Sequence, residues 1–337
     1  MDKASHLSVI LDLSPSQWFF SAQLSPVNPH PLTLKSFISQ LLVFLNSHIA
    51  CKDENTLAVF GALPGRSVML YASANPVAEE HVEVADANTF RPFKILDSTV
   101  VQSILDQLDA LGDPEEEAPI GLVGALTKSL CYINRITSPS SSSPARTDEQ
   151  APVDPRILVL SVSPDQSSSY IPIMNSIFSA QKLRVTIDVC TIYGPDSVFL
   201  QQAAHLTGGS YMRLDRPDAL LQYLIASMSF LPPPATRQLL SVPTQDKIDF
   251  RAACFCHKRI IDIGFVCSVC LSIFCQPVPV CSTCRTKFPI KTLQRLNASR
   301  PTAIPSPPRN TSAPAQSLPP NTLGSSHLIG QNGAART

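Results

Sequence analysis

The sequence predicts an α/β protein: a doubly wound, mainly parallel sheet with one antiparallel edge strand, followed by a small cysteine-rich module. Three observations carry this expectation. Apolar runs of strand length alternate with stretches of helical periodicity as far as residue 231. Two neighbouring strand-like runs are separated only by "PGR", the length of a hairpin connection. Seven of the ten cysteines then fall between 254 and 284, in sequence of a different character.

The elements follow in order. "HLSVILDL" (6–13) is short, apolar and rich in branched residues, the pattern of a buried strand. In "LTLKSFISQLLVFLNSHIACK", Leu34, Phe37, Ile38, Leu41, Leu42, Leu45 and Ile49 recur at helical spacing. Its most apolar part, "FISQLLVFLNSHIA", is interrupted by Gln40, Asn46 and His48 and is too short to span ~30 Å of hydrocarbon. "TLAVFGAL" (56–63) and "SVMLYAS" (67–73) form the hairpin, so the second strand should run antiparallel to the first. Helices are expected over 98–111 and 120–135. Beyond a serine-rich insertion, "RILVLSVS", "RVTIDVCTI" and "SYMRL" read as strands. "IPIMNSIFSAQKL", "SVFLQQAAHLTGG" and "PDALLQYLIASMSF" read as helices, with Gly208 and Gly209 placed as a C-cap and turn. Such alternation implies a sheet covered on both faces, whose ligands normally sit at the carboxyl ends of the strands.

Composition sets the domain boundaries. Lys+Arg and Asp+Glu are both 26, which argues for neither nucleic acid nor membrane. Proline, 31 of 337, is close to twice its roughly 5% average. The prolines gather around 137–155, at 232–234 and over 301–320. The expected organisation is a sheet domain over 1–231 with a flexible insertion at 137–155, a linker at 232–249, a module at 250–290 and a disordered tail at 291–337. "MDKASHLSV" shows no secretory signal, so a soluble, intracellular chain with reduced cysteines is expected. Cys51, Cys131 and Cys190 lie in helix or strand patterns and are expected as inert core residues.

Within the module, "CSVC" (267–270) and "CSTC" (281–284) are two C-x-x-C knuckles. Two intervening residues let a tight turn aim both sulfurs at one ion. Cys267, Cys270, Cys281 and Cys284 thus supply four thiolates for a closed tetrahedral zinc site. A piece of this size cannot bury enough apolar surface alone, so the metal would contribute most of its folding free energy. A second ion would use Cys275 with some combination of Cys254, Cys256 and His257, in an arrangement interleaved with the first. The alternative is that these four pack as small hydrophobes. Between 250 and 300, eight basic residues (Arg251, Lys258, Arg259, Arg285, Lys287, Lys291, Arg295, Arg300) face one acid, Asp262, which suits phosphate or an acidic protein face equally.

"DLSPSQW" ends the first strand. Asp12, Ser14 and Ser16 spell D-x-S-x-S, the first part of a divalent-cation site. Such a site also needs a threonine from a second loop and an aspartate from a third. Asp165 is available for the third, whereas the second loop, "EEEAPIGL", has no threonine and Thr127 lies inside a helix pattern. Mg2+ at Asp12, Ser14 and Ser16 is therefore disfavoured against hydrogen bonding within the loop. Trp18 reads as a packing anchor.

The D-x-S-x-S loop with Trp18, "HLTGGSYM" and "CFCHKRIIDIGFVCSVCLSIFCQPVPVCSTCRTKF" together resemble the smaller von Willebrand A-type, zinc-binding subunits of general transcription factor TFIIH, over about 1–290. The resemblance implies a von Willebrand A-like domain, a C4 zinc on Cys267, Cys270, Cys281 and Cys284, and a nuclear, non-catalytic core subunit. Its implied partners are the larger von Willebrand A and zinc-finger subunit and the other core subunits, with at most indirect DNA contact, no membrane and no small-molecule substrate. The implied roles are RNA polymerase II transcription initiation and nucleotide excision repair. The competing readings are a RING-like ubiquitin ligase, a metal-dependent A-domain ligand binder and a direct DNA binder.

Overall fold

Strand β1 (Ser5–Asp12) is buried along its whole length, because helices cover both faces of the sheet that it centres. The structure is a computed structural model. It describes residues 4–26, 28–73, 90–112, 118–137, 153–166, 169–227, 237, 248, 250–257, 260–291, 294 and 295. The chain divides into two units, Met1–Lys287 and Phe288–Thr337, the second described only at 288–291, 294 and 295. The bulk of the insertion, linker and tail expected from the sequence lies outside the described residues.

The elements of the sheet domain are β1, α1 (Pro15–Ser21), α2 (Leu34–Cys51), β2 (Thr56–Leu63), β3 (Arg66–Ala72), α3 (Arg91–Asp109), α4 (Leu122–Thr137), β4 (Asp154–Ser161), α5 (Tyr170–Leu183), β5 (Thr186–Thr191), α6 (Val198–Thr207), β6 (Tyr211–Arg213) and α7 (Leu220–Gln222). The last helix continues in π geometry over Tyr223–Ser227. Strand order is β3-β2-β1-β4-β5-β6. All pairings are parallel except β2 with the edge strand β3, as the "PGR" hairpin requires. The fold is thus a doubly wound, mainly parallel sheet with one antiparallel edge strand, as the sequence predicts.

Two-residue alternation along each strand divides the core. Leu7, Val9 and Leu11 of β1, with Leu57, Val59 and Leu63 of β2 and Leu158 and Leu160 of β4, face α2, α3 and α7. Ile10, Ala58, Phe60, Ala62, Ile157 and Val159 face α4, α5 and α6. Gly209 lets α6 turn back closely onto the sheet: a Cβ there would lie 2.0 Å from the carbonyl oxygen of Ile187. Gly208 takes the left-handed C-cap expected of it, at φ 72°.

Several local expectations change. Helix α1, read as a turn from the sequence, forms because Ser14 caps it and Pro15 fits its first turn. Helix α3 begins at Arg91 rather than near 98, again with proline in its first turn. Helix α2 is longer than its apolar run: at 18 residues it is long and apolar enough, by length and composition only, to cross a membrane. It nevertheless packs as a core helix, burying Phe37, Leu41, Phe44, Leu45 and His48. Of the three cysteines expected in the core only Cys190 is buried, whereas Cys51 and Cys131 are exposed. Cys131 falls on the outer side of α4 beside the inward-facing Leu130 and Tyr132, and Cys51 closes the last turn of α2.

Candidate metal centre

At the carboxyl end of the sheet, Asp12 is 1% exposed and its carboxylate ties two loops together. Oδ2 accepts from the backbone N–H groups of Val162 at 3.1 Å and Ser163 at 2.8 Å, and Oδ1 from that of Ser14 at 3.3 Å. Burial pushes this carboxyl up from its ordinary range, and these donors oppose the shift. Ser14 Oγ lies 3.2 Å from Ser16 Oγ and accepts from the N–H of Gln17, capping α1. Trp18 anchors the same loop. Its Nε1 donates to the Asp12 carbonyl at 2.8 Å, and its ring packs on Phe37 at 4.6 Å between centroids.

Asp165, the candidate from the third loop, is engaged elsewhere. Its carboxylate accepts from the Ser197 hydroxyl and, at 3.1 Å, from the backbone N–H of Phe199, at the start of α6. Thr127 bonds back to the carbonyl of Val123 and lines a groove of about 590 Å³ between α4 and α5. The D-x-S-x-S loop is therefore held by the hydrogen bonds of an ordinary strand-end turn.

The cysteine module is built on a different plan. Strand β7 (Phe265–Val266) pairs antiparallel with β8 (Ile273–Phe274), and isolated bridges join Ala253 to Ile260 and Val280 to Lys287. Three hairpins result, 253–260, 266–273 and 280–287, reading "ACFCHKRI", "VCSVCLSI" and "VCSTCRTK". Each carries a ligand type at its second and fifth positions: Cys254 and His257, Cys267 and Cys270, Cys281 and Cys284. The second and third share one backbone. The N–H of Leu271 donates to the carbonyl of Cys267 at 3.0 Å, and that of Arg285 to the carbonyl of Cys281 at 2.9 Å. Leu271 and Arg285 both take φ 60°, the left-handed conformation that turns the chain back under the sulfurs.

Two clusters follow. Cys267, Cys270, Cys281 and Cys284 have all four sulfurs within 4.8 Å of one another, with Cys267–Cys284 at 3.7 Å and Cys270–Cys281 at 3.5 Å. A tetrahedron with Zn–S bonds of ~2.3 Å has edges of about 3.8 Å, so the donor set fits that ion. Cys254, Cys256, His257 and Cys275 gather in the same way, with Cys256–Cys275 at 3.5 Å and His257 Nδ1 3.2 Å from Cys275 Sγ. Every cysteine is free, and these separations far exceed the ~2.05 Å of a disulfide bond. Polar neighbours shift the thiols. The Ser272 hydroxyl and backbone N–H bring Cys270 down to about 6, and the Thr286 hydroxyl lowers Cys284. Burial and the neighbouring Cys256 push Cys275 up to about 11. Soft thiolates with at most one imidazole are the chemistry of a structural zinc rather than of a hard cation.

A family model described as "Transcription factor Tfb4" matches residues 4–285, which takes in the sheet domain, the first two hairpins and the third as far as Arg285. The chain belongs to the Tfb4 family. It is 39% identical over 298 residues to the Schizosaccharomyces pombe "General transcription and DNA repair factor IIH subunit tfb4", covering 87% of this chain and 92% of that protein. An Arabidopsis thaliana protein described as "General transcription and DNA repair factor IIH subunit TFB4" is 35% identical, with 85% and 90% covered. Among solved structures, the "TFIIH p34 N-terminal Domain" superposes with a TM-score of 0.54 and 29% identity. It covers 66% of this chain and 97% of that one. In this Tfb4-family chain two features lie outside the sequence expectations, and only the first left a local signal. The C-x-x-H character of Cys254 and His257 was legible in the repeated hairpin frame. The position of Arg237, within the expected linker, was not. Its guanidinium grips the buried Asp188 of β5 through two bonds of 2.6 Å. Phe250 then packs on His205 of α6 at 5.0 Å, so the start of the module region touches the sheet domain.

Proposed function

We propose that the chain is a non-catalytic structural subunit of the TFIIH core, acting in RNA polymerase II transcription initiation and nucleotide excision repair in the nucleus. The observation that carries this reading is the family match over residues 4–285, with relatives whose names are those of factor IIH subunits. In this reading it is the smaller of two von Willebrand A-type subunits, and the larger one, with its own zinc region, is its principal partner. Cys267, Cys270, Cys281 and Cys284 hold one zinc. Cys254, Cys256, His257 and Cys275 hold a second, and the ions fix the hairpins as a rigid docking part. Exposed Val266, Val269 and Leu271 on the module, and Phe19, Phe20 and Leu24 around α1, suit partner contact better than water.

Affinity purification of the tagged chain, with identification of co-purifying proteins and metal quantification, tests the reading. Recovery with other TFIIH subunits and two zinc ions per chain is expected. Recovery as a lone monomer overturns it. One observation favours a second reading, a RING-like ubiquitin ligase. The two ligand sets are interleaved along the chain, 254–257 with 275 and 267–270 with 281–284. Polyubiquitin formed by the purified chain with a conjugating enzyme would establish that reading instead.

A further inference from the structure

The three hairpins differ at their seventh position, two residues beyond the second ligand. It is Arg259 in the first, Ser272 in the second and Thr286 in the third. Only the hairpins that build the all-cysteine cluster carry a hydroxyl there, and in both it lies against the second sulfur. Ser272 Oγ is 3.1 Å from Cys270 Sγ, and Thr286 Oγ1 is 3.0 Å from Cys284 Sγ. The backbone places them. Cys267 N–H donates to the Ser272 carbonyl and Cys281 N–H to that of Thr286, both at 2.9 Å, which folds the seventh residue back over the fifth. Ser272 is 2% exposed, so its hydroxyl has little water available to it.

We infer that Ser272 and Thr286 are positioning residues for the ion at Cys267, Cys270, Cys281 and Cys284, each donating a hydroxyl hydrogen bond to a metal-bound thiolate. This rests on the zinc reading above. A sulfur bound to metal carries no proton, so the hydroxyl donates and the sulfur accepts. Four thiolates around a dication leave roughly two units of excess negative charge, and donors to the sulfurs stabilise it. The first hairpin presents an imidazole, neutral when it ligates a metal, at the equivalent ligand position and has no hydroxyl beyond it. The same small turn therefore carries the extra donor in the two hairpins whose second ligand is a thiolate.

The test uses the full-length, zinc-loaded chain and a Ser272→Ala, Thr286→Val double variant. Release of zinc to a competing chelator should be about 10–100-fold faster in the variant, with the other cluster as internal control. After cobalt substitution, the sulfur-to-cobalt charge-transfer band should move to lower energy, because a thiolate without its donor gives up electron density more readily. Ser272→Thr with Thr286→Ser keeps both hydroxyls and should restore the wild-type rate and band. Thr286→Val alone, nearly isosteric, should give a smaller effect in the same direction if the double variant fails to fold. A wild-type chain that holds zinc, beside variants with unchanged release and an unchanged band, overturns the inference. A wild-type chain with no bound ion removes the zinc reading and the inference together.

Discussion

Every side chain of β1 is buried, whereas in the hairpin from Val266 to Ile273 the apolar residues Val266, Val269 and Leu271 are 58%, 64% and 71% exposed. The sheet domain closes two apolar layers around its strands. The module has three short hairpins, few buried side chains and eight converging ligand atoms. Burial stabilises the first by the hydrophobic effect. The second has too little apolar area to fold that way, and in the zinc reading proposed above its cohesion comes from ligation. Solvent-facing apolar residues are consequently tolerated on the module, where they can serve a partner.

That contrast can be broken most directly with metal. Chelation, or serine at Cys267, Cys270, Cys281 and Cys284, should unfold the module and leave the sheet domain intact. The apparent free energy removed is about 10–16 kcal/mol per structural zinc. Hydrogen exchange checks this: loss of protection should be confined to 250–287, and loss across β1 and β4 would remove the distinction. The join comes next. Arg237→Ala leaves Asp188 buried without its bidentate partner and should lower sheet-domain stability by about 3–5 kcal/mol in urea unfolding. Unchanged zinc content in that variant would sharpen the separation between the two regions.

A smaller effect distinguishes the regions by pH. Burial pushes His6 down to about 3 and His48 to about 4, so both are neutral in the folded sheet domain. Unfolding returns them to about 6.5, and the unfolded chain then binds protons that the folded one refuses. Their contribution is full above that value and is lost as pH falls toward 4. The expected loss is about 1–2 kcal/mol per histidine between pH 7 and 5, and His48→Gln should reduce the slope. Smallest of all, Leu271→Gly relieves a left-handed residue that is largely exposed and should stabilise the loaded module by about 1 kcal/mol or less, seen as slower zinc release.

The outline of the fold was legible because it rests on local patterns. "VILDL" and "ILVLS" are continuous apolar runs because both faces are covered, and "PGR" forces the antiparallel edge. The C-x-x-C knuckles were equally plain, since a turn aims both sulfurs whatever surrounds it. Helix α1 was hidden because Trp18 and Ser21 face the core whereas Phe19 and Phe20 are exposed, leaving little periodicity in so short an element.

The order of strands and helices, and the four sulfurs of the paired knuckles, follow from the sequence by itself, because periodicity and short spacing act between neighbours. Only the tertiary structure decides that Cys275 joins Cys254, Cys256 and His257, that Asp165 caps α6 rather than turning to Asp12, and that Arg237 reaches Asp188. Each depends on the distance between residues far apart along the chain, and that distance exists only once the layers have packed.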